Sequence, residues 1–270
     1  MQTHPTLYPT DLSDEEWDCV KSIVPQPKSG KGKRGRPPSL DRRTLVNAIF
    51  YIVRSGCAWR LLPKDFGAWQ TVYGYFRRWS QDWTWAFIHD TLRDWLRKTE
   101  ARKVAPTAAI VDSQSVKVGD QAGERGYDAG KKISGRKRHV AVDCLGLILA
   151  ISITSAAVQD RQAARSLLNG LVSWYGRLQI IWADGGYLGS LVGWVKQLRP
   201  FGKLRLEIVR RCDRRKGFKV LSKRWIVERT FAWLSKSRRI CRDYEVRLDH
   251  SEAMVRLCMI RLMLKRLAAA

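Results

Sequence analysis

The chain of 270 residues contains 50 lysines and arginines against 25 aspartates and glutamates, which gives a formal net charge of +25 and a pI of about 10.3. We expect a nucleic acid as partner, because cations that neutralise phosphates release condensed counterions. No membrane protein is indicated, since no stretch approaches ~18 consecutive apolar residues. The N-terminus lacks the charged-then-apolar order of a signal peptide, so we expect a cytoplasmic protein.

Hydrophobic residues make up 45% of the chain, which is enough for a sizeable core. The length suits one large domain or two ordinary ones, and we favour two. The cysteines form no C-x-x-C pair and have no histidine at zinc-ligand spacing. We therefore expect reduced thiols and neither a disulfide framework nor a structural zinc. The six cysteines are Cys19, Cys57, Cys144, Cys212, Cys241 and Cys258.

The first predicted helix covers residues 12–25. Ser13, followed three residues later by Glu16, has the pattern of a capping box, and Pro25 ends the helix.

Residues 26–38 mix proline, glycine and cations without any period, which predicts a flexible basic arm. Two interpretations of the arm stand. It is a solvated linker, or it is a strap whose Arg34 and Arg36 contact phosphates or lie in a minor groove of DNA.

Three further helices are predicted, from Asp41 to Ser55, from about Trp69, and over residues 83–98. This series is typical of a helix-turn-helix domain, with residues 71–79 as the recognition helix. Its Arg77 and Arg78 would then lie near DNA phosphates. The alternative is a small domain whose many tryptophans fill its core without reading DNA.

The helical period stops at a polar joint around residues 102–106. We predict a helical domain over 1–102 and a second domain over 103–270. In the second domain, apolar β-branched runs predict strands at 107–111, 138–144, 147–154, 178–183 and 204–209, with a tight hairpin turn at Leu145-Gly146. Helices are predicted at 159–174, at 188–198, and around Glu228.

This order predicts an α+β domain with a five-stranded mixed sheet and helices packed on it. It is the order of the ribonuclease-H-like fold, in which the first and fourth strands lie side by side at the centre. Asp112 and Asp184 each end one of those two strands, and Glu228 lies on a later helix. We therefore expect the three carboxylates to meet.

Three convergent carboxylates suit metal-dependent phosphodiester chemistry, which uses two divalent ions. Mg²⁺ prefers hard oxygen ligands and takes few from the protein, so we predict two Mg²⁺ ions, with Mn²⁺ as a substitute. Each acid also has a plainer interpretation. Asp112 is then a hydrogen-bonded strand residue, Asp184 forms a turn before Gly185, and Glu228 pairs with Arg224 on the surface.

The helix that carries Glu228 is predicted to turn Val227, Phe231 and Leu234 towards the sheet. Glu228 then lies on a separate stripe with Arg224 and Arg239, which are placed to hold a phosphate.

Two cationic stretches, 131–139 and 199–224, are predicted to line a DNA channel, with solvated faces as the alternative. His139 either touches the site or packs within the sheet. Trp225 and Trp233 either stack on an unpaired base or pack in the core. The DNA contacts predicted in the second domain are Lys131, Arg136, Lys137, Arg138, Arg224, Lys236 and Arg239.

Several motifs together resemble bacterial insertion-sequence transposases of the DDE type, in the insertion-sequence-five group. The N-terminal motifs are Gly56-Cys-Ala-Trp-Arg-Leu-Leu-Pro63 and Trp69-Gln-Thr-Val-Tyr73. The catalytic-domain motifs are Asp112-Ser-Gln-Ser-Val116, Gly135-Arg-Lys-Arg-His139, Ala183-Asp-Gly-Gly-Tyr187 and Arg224-Trp-Ile-Val-Glu-Arg-Thr-Phe-Ala-Trp233. The resemblance covers nearly the whole chain.

The resemblance implies that Asp112, Asp184 and Glu228 form a catalytic triad that binds Mg²⁺. It implies that the substrate is the terminal inverted repeats of the element itself. It also implies strand cleavage by water, followed by joining of the freed 3′-hydroxyl to target DNA. Because transposition brings two ends together, we expect a homodimer on double-stranded DNA, for which a C-terminal helix at 251–267 is either an interface or part of the core.

The motif Y-x2-R-x3-E-x6-K of related transposases is only partly present. Arg224 and Glu228 fit it, whereas Leu221 replaces the tyrosine and Ser235 the lysine. Lys236 is a candidate substitute for that lysine.

Two other functions remain alternatives at this stage. One is a DNA-binding regulator with a non-catalytic second domain, and the other is a ribonuclease-H-like, structure-specific nuclease.

Overall fold

The computed structural model describes residues 7–27, 37–120, 123–199, 202–209 and 223–270. The sequence predictions for Arg34, Arg36, Cys212 and Leu221 lie outside these ranges. By its internal contacts the chain divides into two compact units. The first combines Met1–Arg102 with Lys236–Ile240 and Ala253–Ala270, and the second combines Lys103–Ser235 with Cys241–Glu252. The assignment of domains to 1–102 and 103–270 stays a prediction.

The first unit contains the predicted N-terminal helices, α1 (Asp14–Asp18), α2 (Arg42–Ser55), α3 (Trp69–Gln81) and α4 (Thr84–Thr99). The capping box of α1 is present, with the Ser13 hydroxyl and the Glu16 carboxylate each accepting from the other residue's backbone N–H. The α-helix itself is shorter than predicted, since hydrogen-bonded turns replace it after Asp18.

Helix α2 is the core of this unit. Its Leu45, Ile49 and Ile52 are fully buried, and it ends at Gly56, which has a positive φ of 74°. Helix α3 buries Val72, Phe76 and Trp79.

The second unit is built on a mixed sheet. Its strands are β1 (Ala108–Lys117), β2 (Gly126–Asp128), β3 (Ile133–Val142), β4 (Ile148–Ser155), β5 (Ile180–Ala183) and β6 (Arg205–Ile208). The strand order is β4-β3-β1-β5-β6, and the short β2 pairs with the N-terminal end of β3. β3 pairs antiparallel with β1 and with β4, whereas β5 pairs parallel with β1 and with β6.

The five predicted strands and the α+β fold class are confirmed, including the central pair of first and fourth predicted strands. The structure differs from the predicted strands in two details. Asp112 does not end its strand, because residues 113–117 continue to pair with β3. β2 was not predicted, since three residues are too few for a recognisable alternation.

Helices α5 (Asp160–Trp174) and α6 (Ser190–Gln197) pack on one face of the sheet. Helix α7 (Arg224–Leu234) contacts β1 and β3. The last helix, α8, covers Leu248–Leu267. None of the helices in the described ranges combines the length and apolar character that crossing a bilayer requires.

The buried side of α7 differs partly from the predicted one. Val227 and Leu234 are buried as predicted, whereas Phe231 is half-buried and Thr230 is fully buried instead. The Thr230 hydroxyl is accommodated because it donates to the carbonyl of Gly146, at 2.8 Å.

Arg239 does not share a helical stripe with Glu228, because α7 ends at Leu234. It lies in a 3₁₀ turn, Arg238–Ile240, and donates to the carbonyl of Cys57 in the first unit.

Candidate active site

The register of the central parallel pair brings Asp112 and Asp184 to the same level of the sheet. Ala108 pairs with Ile180 and Ile110 with Trp182. Two residues further on, each strand reaches its aspartate, and neighbouring strands lie about 4.8 Å apart. The sheet topology therefore places two carboxylates side by side, although they are distant in sequence.

Backbone groups orient both aspartates. The Ser113 N–H donates to Asp112 Oδ1 at 2.7 Å. The Gly186 N–H donates to Asp184 Oδ1 at 2.9 Å, which caps the 3₁₀ turn Gly185–Tyr187. Asp184 thus forms the turn that its plainer interpretation predicted, and its second carboxylate oxygen remains available to other partners.

Helix α7 brings the third acid to the same place. One guanidinium nitrogen, Arg224 Nη2, lies 3.5 Å from Asp112 Oδ2, 3.7 Å from Asp184 Oδ2 and 3.7 Å from Glu228 Oε1. Any two of these oxygens are therefore separated by no more than twice 3.7 Å. The Arg224–Glu228 pair foreseen as the plainer interpretation is present, but the same arginine also contacts both aspartates.

The three acids differ in exposure. The side chain of Asp112 is 14% exposed, that of Asp184 33% and that of Glu228 52%. Burial raises the pKa of Asp112, as does the neighbouring Asp184 to a smaller extent, and the net result is a pKa of about 6 against the ordinary 3.8. The Ser113 N–H, Arg224 and Lys131 act in the opposite direction. The nearby cations Arg224 and Lys131 thus do not fully offset the cost of burying the charged Asp112 carboxylate.

The donor set fits a hard divalent ion, because carboxylate oxygens are what Mg²⁺ takes from proteins. Within the part of the chain that the structure describes, no three His, Cys, Asp or Glu side chains already surround one point as metal ligands would. The acids instead face the Arg224 guanidinium, so the place between them already attracts a cation.

Tyr187, to which the sequence analysis assigned no role, borders the triad. The Tyr187 side chain is 1% exposed, and its hydroxyl lies near the Ser113 side chain. Burial raises the pKa of Tyr187 well above 10, and Asp112, Asp160 and Asp184 add to this. Tyr187 is therefore a buried, protonated hydroxyl close to three carboxylates.

The buried Lys137 links two acids of the same unit in a polar network. Lys137 Nζ lies 3.4 Å from both Asp128 and Asp160. The Ser115 hydroxyl donates to Asp128 at 2.6 Å. Asp128 and Asp160 carry no signal in the sequence, because an acid in a turn or in the first turn of a helix is ordinary.

His139 packs within the sheet. It is fully buried, its Nε2 lies 3.0 Å from the Thr154 hydroxyl, and its Nδ1 lies 4.0 Å from Asp160. Burial lowers the pKa of His139 to about 4 in spite of Asp160, so the imidazole is neutral at neutral pH.

Of the described cations predicted to contact DNA, Arg224 is partly buried and the others are either exposed or buried. Arg77, Arg78, Lys131 and Lys236 are exposed. Lys131 also donates to the backbone carbonyl of Ser113 at 3.0 Å, which places it beside the triad.

The buried cations among the predicted DNA contacts are Arg136, Lys137, Arg138 and Arg239. Arg136 is completely buried and pairs with Asp243 at 3.2 Å. It also donates to the Ser251 hydroxyl and to the carbonyls of Glu124, Glu245 and Val246. These bonds hold the segment around 243–251 to the sheet, so the Arg136 guanidinium is used by the fold and is not exposed to DNA.

Neither tryptophan of α7 is buried in the core. Trp225 and Trp233 enclose the Arg229 guanidinium, 4.6 Å from each ring, and Trp225 remains 40% exposed. Among the described residues, no disulfide joins Cys19, Cys57, Cys144, Cys241 or Cys258.

Two family profiles match this chain. The family described as "Transposase DDE domain" matches residues 104–264, which is more than half of the chain. The family described as "Putative transposase of IS4/5 family" matches residues 12–89.

Individual relatives come from two bacteria. "Putative transposase for insertion sequence element IS402" of Burkholderia cepacia is 32% identical over 136 residues, which cover 47% of this chain and 62% of that protein. "Insertion element IS402 uncharacterized 16.2 kDa protein" of the same species is 28% identical over 109 residues, or 39% and 72%. "Uncharacterized protein y4sN" of Sinorhizobium fredii is 35% identical over 70 residues, or 26% and 53%. The chain thus spans between 53% and 72% of the length of these relatives.

Proposed function

The chain belongs to the bacterial insertion-sequence DDE transposases, and from this we propose that it binds the terminal inverted repeats of its own element, cleaves them and joins them to target DNA. The observation that supports cleavage is the convergence of Asp112, Asp184 and Glu228 on one point from a central strand, the end of its neighbour and a helix. DNA is the substrate that the family implies, and the charge of +25 suits it.

Enzymes with this domain use divalent metal ions, and we take the ions to be two Mg²⁺, with Mn²⁺ as a substitute. Asp112, Asp184 and Glu228 are the residues that would hold them. Bound ions would supply a nucleophile from water and stabilise the leaving oxygen. Asp112 would bind in its ionised form, which its raised pKa makes less populated near pH 6 than an ordinary aspartate would be.

DNA binding is assigned to Arg77, Arg78, Lys131 and Lys236, which are exposed, together with the partly buried Arg224 and the arm residues Arg34 and Arg36. Arg77 and Arg78 on α3 would contact the terminal repeat, as would Arg34 and Arg36 of the arm. Lys131, Lys236 and Arg224 would contact the DNA near the scissile phosphate. Because two ends have to be joined in one event, the active assembly is proposed to be a homodimer on DNA.

The first test replaces Asp112 by asparagine, which keeps the shape of the side chain and removes its charge. We expect Asp112→Asn to retard DNA that carries the terminal repeats as well as the unchanged protein does. Nicking in Mg²⁺ should fall by at least about 10³-fold, since a metal ligand is lost.

The matched control is Glu124→Gln, which removes an exposed acid from the same unit without touching the triad. It should cleave normally. Undiminished cleavage by Asp112→Asn would refute the metal role. A second assay supplies pre-cut ends and a supercoiled target, since a transposase joins them whereas a simple nuclease does not.

A further inference from the structure

Arg224 stands between the three carboxylates without being fixed there. Its contacts with the acids measure 3.5, 3.7 and 3.7 Å, all longer than the 2.7–3.2 Å of N–H···O hydrogen bonds. Its Nε is buried and has no hydrogen-bond partner in the described part of the chain. The guanidinium is thus held mainly by charge.

Structural arginines of the same unit are held differently. Arg136 is completely buried and makes hydrogen bonds of 2.7–3.1 Å. Arg199 donates to four backbone carbonyls at 2.6–3.2 Å. Removing either guanidinium would leave several buried acceptors without donors. Arg224 is the side chain that can leave with least loss of hydrogen bonding among these three.

We propose that Arg224 is the internal counter-cation of the triad, which neutralises Asp112, Asp184 and Glu228 when no metal is bound and has to leave them for divalent ions to enter. The inference rests on the proposed function, because it takes the triad to be the metal site. Arg224 is then a positioning residue. It keeps three mutually repelling carboxylates together in the metal-free protein and competes with the metal for them.

The Arg224 guanidinium, which lies on the same helix as Glu228, competes with the metal for the acids. The apparent affinity for metal is the intrinsic affinity multiplied by the fraction of molecules in which the guanidinium has left the site. Any anion that draws Arg224 away would raise that affinity, and by linkage the metal would strengthen the binding of that anion. Metal loading and anion binding near the triad are therefore coupled through one side chain.

The test is a calorimetric titration of the full chain, without DNA, with MnCl2. We expect Arg224→Gln to bind Mn²⁺ at least about tenfold more tightly than the unchanged protein. We also expect its melting temperature in EDTA to be lower, because the acids lose their counter-charge, and its increase on adding Mn²⁺ to be larger. A purely structural role predicts weaker metal binding.

Arg229→Gln is the matched control, since Arg229 lies on the same helix and its guanidinium is enclosed by Trp225 and Trp233. Its Mn²⁺ affinity should stay within about twofold of the unchanged protein. Arg224→Lys covers the case in which Arg224→Gln does not fold. The shorter lysine side chain keeps the charge but does not reach the point between the acids that Arg224 Nη2 occupies, so Mn²⁺ affinity should again exceed that of the unchanged protein.

Unchanged or weaker Mn²⁺ binding by the folded Arg224 variants would overturn the inference, as would an equal gain in Arg229→Gln. Asp112→Asn separates this failure from that of the proposed function. If Asp112→Asn binds Mn²⁺ like the unchanged protein, the triad is not the metal site. If it loses binding while the Arg224 variants gain none, the metal site stands and only the role of Arg224 falls.

Discussion

Asp112 destabilises the metal-free protein at neutral pH. Its pKa is about 6 in the folded chain against an ordinary 3.8, so the folded state holds this proton more tightly than the unfolded state does. Stability therefore falls as the pH rises from about 4 to about 6, and the penalty is fully present above that window. The difference of about two pH units corresponds to roughly 3 kcal/mol at most.

We therefore predict that Asp112→Asn is more stable than the unchanged protein at pH 7.5, by about 1–3 kcal/mol. The gain should disappear near pH 3, below both pKa values, where Asp112 is largely protonated in both states. Urea denaturation in EDTA at the two pH values measures the difference. A gain of the same size at both pH values would show that ionisation of Asp112 is not the cause.

Single residues show both the reach and the limit of sequence reasoning. Asp112 and Asp184 could be predicted as site residues because each directly follows a short apolar run. The burial of several cations could not be predicted from the sequence. Arg136 resembles a DNA contact in the sequence, yet its partner Asp243 lies more than a hundred residues away. Only the folded chain brings such pairs together, and the roles proposed for the triad and the DNA contacts stay predictions.

At the level of elements, the strands and helices were mostly predictable because alternation and helical periods report burial. The extent of β1 was not, because Ser113 and Ser115 break the apolar pattern. Both serines are nevertheless buried. Their polar atoms are satisfied in the fold, for example by Asp128, which accepts from Ser115. Strand β1 therefore continues past its first apolar run because polar partners accommodate its buried serines.

The β3–β4 hairpin supports α7 through Gly146. This glycine has a φ of 82°, and a Cβ there would come within 2.9 Å of Thr230 and of Trp233. We predict that Gly146→Ala destabilises the protein by about 1–3 kcal/mol, through strain and through displacement of α7. Because Glu228 lies on α7, DNA cleavage should fall as well. Thermal unfolding and a nicking assay measure the two effects.

Gly193→Ala in α6 is the control, because a Cβ there meets nothing within 4 Å. Alanine should raise stability slightly, by up to about 1 kcal/mol, since it favours the helix. Equal losses in both variants would show that the contact of Gly146 with α7 is not the cause.

Over the whole molecule, the positive charge divides between surface and interior. Each phosphate neutralised by an exposed cation should add about one unit to the slope of log affinity against log salt concentration. We predict that Arg78→Ala lowers this slope by about one and leaves the melting temperature unchanged. The slope is obtained by measuring DNA affinity at several salt concentrations between about 50 and about 200 mM. An unchanged slope would remove Arg78 from the interface.

Arg136→Met should do the opposite. Breaking a buried pair leaves Asp243 charged and uncompensated, which costs about 3–5 kcal/mol. The melting temperature should therefore fall markedly, while the salt dependence of DNA binding by the remaining folded protein should not change.

The first compact unit is assembled from three stretches of chain, the last of which is Ala253–Ala270. Arg261 from that stretch lies against Glu16 and the carbonyl of Asp11. In a chimera that takes only residues 1–102 from a relative, the foreign N-terminal segment would therefore have to pack against this chain's own Ala253–Ala270. Exchanging this unit between relatives therefore requires that Lys236–Ile240 and the chain's final eighteen residues be exchanged together with residues 1–102.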